Sequence, residues 1–160
     1  MDKPSPLFLI VLGGLGTALL SPLNVNGIPI FLLAVPIAIL ATILHNAEAG
    51  IVVGVGTSVL SGILVNSIEL WNMIGMGLAA AVVVLAYDAI YPKQKTDLSA
   101  ILFAVLGALL VQLASELSTR ENILFRTELF LGTHPALGLQ IIANVFVMGI
   151  LLTYYPQGKK

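Results

Sequence analysis

Apolar residues along this chain gather in blocks of roughly span length, separated by short polar breaks. The blocks cover residues 6–20, 28–44, 50–65, 73–90, 98–114 and 136–155. Ser21-Pro22, His45-Asn46-Ala47-Glu48 and Pro92 supply the sharper breaks. Within a block the pattern neither alternates nor leaves a polar stripe. Ala79-Ala80-Ala81-Val82-Val83-Val84 is typical. A helix that is apolar all round is one surrounded by other apolar matter. Strands of a membrane barrel would alternate, and these runs do not. A helix needs about 17 to 25 residues to cross a hydrocarbon layer about 30 Å thick. The pattern therefore predicts an all-α integral membrane protein, a compact bundle of six transmembrane helices in one domain. The shorter blocks must stand nearly upright. A re-entrant pair formed by the second and third blocks is the alternative.

Composition sharpens this. Of 160 residues, 58% are hydrophobic and 9% charged, and mean hydropathy is +1.04. About 25% charged residues is usual for a soluble domain, so too few are present to clothe a surface in water. The net charge of −1 offers no basic field for nucleic acid. Cysteine is absent, which removes disulfides, thiolate metal sites and cysteine nucleophiles. No cleavable signal peptide is expected, because the first apolar block leads straight into more of the same.

The basic residues suggest an orientation. With a cytoplasmic N-terminus and six crossings, Lys3, Lys93, Lys95, Lys159 and Lys160 fall inside, and only Arg120 and Arg126 fall outside. Both termini are then cytoplasmic, in a multi-pass protein of the cell membrane. The longest connection, 115–135, is external. Ser118-Thr119-Arg120-Glu121 fits a capping box before Ile123, Leu124 and Phe125, which predicts a short interfacial helix there.

Catalytic patterns are missing. Neither Gly-x-Ser-x-Gly nor His-Glu-x-x-His occurs, and no phosphate-cradling Gly-x-x-x-x-Gly-Lys is present. His45 and His134 fall on opposite sides of the membrane. No enzyme activity, metal or cofactor is expected. Small residues recur at four-residue steps: Gly14 with Ala18, and Gly54 with Ser58 and Gly62. Such faces let helices approach closely, either within the bundle or against a partner. Gly14 and Ala18 are the candidate partner-docking pair.

Polar groups accumulate toward the outer ends. Asn24 and Asn26 come from the first loop, and Asn66, Glu69, Trp71 and Asn72 from the third. Glu116, Arg120, Arg126 and His134 come from the fifth. Gln140 and Asn144 share a face of the last span, and polar side chains at that depth point inward. Together they suggest an outward pocket for a small polar solute. Arg120 or Arg126 would pair with a carboxylate or phosphate, and Trp71 would stack on a ring. Lipid contacts would cover the rest.

The stretch Asn24 to Phe31, then Leu44 to Gly50, then Val52-Val53-Gly54-Val55-Gly56 resembles the first half of the substrate-binding S components of energy-coupling factor vitamin transporters. Ile28-Pro29 fills that family's Val/Ile-Pro element, whereas His45-Asn46 replaces the usual leading Gly of its turn. The resemblance implies an S-component-like bundle that takes up a water-soluble vitamin or precursor. It also implies a separate transmembrane coupling protein with two ATPase subunits, for which Gly14 and Ala18 would form the docking surface. Met1-Asp2-Lys3 departs from the Met-His start of the nickel and cobalt members, so a metal substrate is not expected. The competing expectation is a non-catalytic scaffold similar to the cell-shape protein MreD, holding cell-wall synthesis partners.

Overall fold

A computed structural model describes residues 3–25, 28–65, 70–90, 97–118 and 135–155. For 25, 28–29, 70–72, 112, 114–118 and 135–136 it describes the backbone alone. Six helices make up nearly all of it: α1 (Pro6–Leu20), α2 (Ala34–Leu44), α3 (Ala47–Leu64), α4 (Leu70–Ile90), α5 (Asp97–Ser118) and α6 (Pro135–Tyr154). A small antiparallel hairpin stands between α1 and α2. Its strands, β1 (Asn24–Val25) and β2 (Ile28–Pro29), pair Asn24 with Pro29 and Val25 with Ile28.

Local chemistry explains the helix ends. Ser5 caps α1, its side chain accepting from the Phe8 N–H at 3.2 Å, and Pro6 opens the first turn. Asn46 caps α3 through its Oδ1, which accepts from the Ala49 N–H at 2.8 Å. With Glu48 in the first turn, α3 begins before the apolar block it carries. The second block departs most from expectation. It is helical only from Ala34, not from residue 28. Pro36 explains this, since a proline ring clashes with the carbonyl four residues back and so forbids helix running up through Leu32. The fifth block is longer than its apolar part. Ser118, expected to cap a new interfacial helix, is instead the last residue of α5. The rest of that expected helix lies outside the described residues.

Neighbouring helices run up and down. Gly54 lies against Ala38 and Ala34 of α2 and Ala80 of α4, and Gly50 lies against Thr42 and Val84. Both pairings of α3 are therefore antiparallel. On α1, Ile10 meets Gly56, Gly13 meets Thr57 and Gly14 meets Leu60, so α1 and α3 are parallel. One end of the bundle holds Pro4, whose carbonyl lies 2.8 Å from His45 Nε2. Leu44 and Tyr155 pack against one apolar cluster there with Leu9 and Leu40. The hairpin and the start of α2 occupy the other end.

The helix α2 is the post around which the others stand. It touches α1, α3, α4, α5 and α6, and every residue from Ala34 to Thr42 is buried. The other five carry large apolar side chains outward. Leu7 is 70% exposed, Leu78 62%, Leu102 54% and Phe146 63%, whereas Ala38, Ile39 and Leu40 are fully buried. In water so much contiguous apolar surface would drive association. Here it is the expected coat of a protein solvated by lipid chains. Among the described residues, three helical segments are long and apolar enough to cross a membrane alone: Ala47–Leu64, Met73–Ile90 and Leu137–Tyr154. Pro6–Leu20, Ala34–Leu44 and Asp97–Val111 are shorter apolar stretches.

Interior positions are small. Ala79, Ala80, Ala100, Ala104 and Ala108 are buried. Gly54 sits so close to its neighbours that a methyl group would lie 2.7 Å from the Ala80 Cβ. Between membrane helices, close backbone approach supplies the dispersion energy that hydrophobic expulsion supplies in water. One larger group joins this core. Tyr87 on α4 is fully buried and packs edge to face on Phe103 of α5, with centroids 5.3 Å apart and planes at 75°.

Candidate functional site

Among the residues expected to build an outward pocket whose side chains are described, Gln140 and Asn144 lie inside the bundle. They are 2% and 4% exposed, one turn apart on α6. That helix packs on α5, α2 and β1, which puts the pair in the half of the bundle that carries the hairpin. Asn24 is also at that end, but it is exposed. Its Nδ2 donates to the Pro22 carbonyl at 3.1 Å and lies 3.4 Å from that of Ser21, so it closes the chain after α1. Trp71 and Asn72 lie in the first turn of α4, and Glu116 lies near the end of α5. For these the description covers backbone only, as it does for Gln112 within α5. Asn26, Asn66, Glu69, Arg120, Arg126 and His134 lie outside the described residues.

The expected docking pair is occupied within the chain. A methyl group at Gly14 would come 2.5 Å from Leu60 Cδ2. Ala18 is partly buried against the main apolar cluster. The other small residues are used in the same way: Gly62 faces Met73, and Gly107 faces Val35. What α1 presents outward is Leu7, Phe8, Val11, Leu12, Leu15 and Leu19.

Three buried hydroxyls near the hairpin end were not expected. Thr17 of α1 is fully buried, and its Oγ1 accepts the Leu33 N–H at 3.3 Å. Leu33, at the start of α2, makes no side-chain cap, and α1 supplies the acceptor for its N–H. Thr57 and Ser61 of α3 are 0% and 2% exposed, and neither hydroxyl has a hydrogen-bond partner. They lie one helical turn apart on one face. The pairing of Gly13 with Thr57 turns that face toward α1. The signal in the sequence is the four-residue spacing of Gly13 with Thr17 and of Thr57 with Ser61.

Counted along the helices at 1.5 Å per residue, Thr17, Ser61, Thr57, Gln140 and Asn144 all lie in the half toward the hairpin. The opposite half buries Thr42, which bonds to the Ala38 carbonyl at 2.9 Å, and Ser99. The polar interior is thus weighted toward one end. Comparison with protein-family models, with curated proteins and with solved structures returns no match.

Proposed function

We propose that this chain is a membrane-embedded binding subunit for a small polar solute. The solute enters at the hairpin end, which faces away from the cytosol, and a separate ATPase module energises uptake. One observation carries the reading: the buried polar side chains of α1, α3 and α6 collect in the half that also contains the non-helical approach to α2. Polar groups in a lipid-solvated interior are costly and face cavities or partners. Irregular backbone at that depth is tolerated where protein or a water-filled space surrounds it. In this proposal the chain crosses six times with both termini cytoplasmic. The 11 residues of α2 span only about 16 Å, so α2 and the non-helical residues 28–33 make the second crossing jointly. Those six residues reach at most about 20 Å when extended. Arg120 and Arg126 of the fifth connection and Trp71 of the first turn of α4 would complete the pocket, and a vitamin or vitamin precursor is the solute class.

A coupling protein would meet α1 on its outward leucines and valines, because Gly14 and Ala18 are used internally. The same consumption of small faces counts against a scaffold of the MreD type, which would need them free for partners. A thermal-shift screen of water-soluble vitamins and precursors on the purified protein tests the proposal. The expected result is stabilisation by one solute class, lost in Gln140→Leu, Asn144→Leu or Arg120→Ala. No stabilising solute, together with copurification of cell-wall synthesis proteins, would decide for the scaffold.

A further inference from the structure

The start of α2 is a buried helix N-terminus with no side-chain cap. Leu33, Ala34 and Val35 are all inside the bundle. The first N–H groups of a helix have no acceptor within it, and among the described residues the Leu33 N–H is taken up by Thr17. Pro36, in the same turn, has no N–H. The aligned peptide dipoles give this end a partial positive charge.

Thr57 and Ser61 lie on α3, which packs beside it. Gly54, one turn earlier on α3, lies beside the Ala34 carbonyl and the Ala38 Cβ. The antiparallel register therefore carries Thr57 and Ser61 past Ala34 toward Leu33. On the α1 side, a methyl group at Gly13 would lie 2.6 Å from Thr57 Cγ2, 3.0 Å from Thr57 Oγ1 and 3.4 Å from Ile37 Cγ1, so the Thr57 side chain sits where α1 and α2 meet. Hydroxyls inside helices ordinarily donate to the carbonyl four residues back. Thr42, Ser58 and Thr153 do so, to Ala38, Gly54 and Gly149, each at 2.9 Å. Thr57 and Ser61 do not. Their protons remain available in a place where the backbone also presents donors.

We infer that the first turn of α2, Thr57 and Ser61 together bind a small anionic acceptor, either a halide ion or the terminal carboxylate of a solute. The chemistry is one-sided. By that register, two hydroxyl donors lie on the helix that packs beside the N–H end of α2, and Thr17 already spends its oxygen on Leu33. The close approach of α1 at Gly13 limits the occupant to a small group. The carboxylate arm rests on the proposed solute-binding function, and the halide arm stands without it.

The test is thermal unfolding of the full chain in detergent. Sodium bromide, sodium acetate and sodium sulfate are compared at equal ionic strength, for the wild type and for Thr57→Val/Ser61→Ala. Bromide or acetate is expected to raise the wild-type Tm by about 3 °C or more over sulfate, and the double variant is expected to lose that rise. Thr57→Ser, which keeps the hydroxyl, is expected to retain it. A response to bromide alone assigns an inorganic halide, and a response to acetate assigns a carboxylate. No rise in the wild type, or an equal rise in the double variant, overturns the site. A polar solute that stabilises the wild type and the double variant equally would remove this site while leaving the binding function standing.

Discussion

Replacing Gly54 by alanine tests the packing that holds α2 inside. The added Cβ lies 2.7 Å from the Ala80 Cβ and 3.0 Å from the Ala38 Cβ. Carbon atoms rest about 3.5–4.0 Å apart. A Cβ is fixed to its backbone, so no rotamer change relieves either contact. The helix α4 must retreat from α3 by about 1 Å and α2 by about half as much, and gaps of that size forfeit a quarter to a half of each dispersion well. Overpacking of this kind costs about 1–3 kcal/mol, and two rigid seams put Gly54 at the upper end. Alanine regains about 1 kcal/mol of helix propensity. The net expectation is a loss of about 2 kcal/mol, a fall in Tm of about 4–8 °C. Gly138 is the control, since nothing lies within 4 Å of a Cβ there, and Gly138→Ala is expected to be neutral or slightly stabilising. Thermal scans of monodispersity in a mild detergent read both. A Gly54→Ala protein as stable as the wild type, or a Gly138→Ala protein equally damaged, would refute the argument.

Asn46→Ala removes the acceptor that caps α3 and is expected to cost about 1 kcal/mol, with Asn46→Asp nearly neutral in the same scan. Thr17→Val strands the buried Leu33 N–H and is expected to cost about 1 kcal/mol. That is the low end for a lost buried acceptor, because the bond is long, and Thr17→Ser should restore the Tm. Phe103→Leu removes the edge-to-face contact with Tyr87 and is expected to cost about 1–2 kcal/mol, whereas Phe103→Tyr should preserve the ring pair. A Tm unchanged in any of the three damaging variants contradicts the role given to that residue.

Hydropathy made the helices legible because lipid demands continuous apolar surface. Pro6–Leu20 is the first block itself, and α4 and α6 differ from theirs only at the ends. It says less about where a helix stops. Ser115, Glu116 and Ser118 are polar yet continue α5, since hydrogen bonding can carry a helix beyond the hydrocarbon. The start of α2 was readable from Pro36 but hidden by the apolar run around it, which suits a buried irregular segment as well as a helix. The central position of α2 was not readable at all. All-round apolarity is shared by a helix facing lipid and one facing only protein. Gln140 and Asn144 stood out as amides in an apolar field. Thr17, Thr57 and Ser61 did not, because a helical hydroxyl usually satisfies itself on the preceding turn, and only the fold reveals which ones fail to.

The claim on which most depends is that the His45 end and the hairpin end of the bundle lie on opposite sides of a bilayer. The chain has no cysteine, so single cysteines report without background. Ser5→Cys, Asn24→Cys and Asn46→Cys, each exposed in the fold, are to be probed with a membrane-impermeant maleimide in sealed vesicles of known orientation. The expected result is labelling of position 24 from one side only, and of positions 5 and 46 only after the vesicles are opened or inverted. Labelling of all three from the same side would contradict the account.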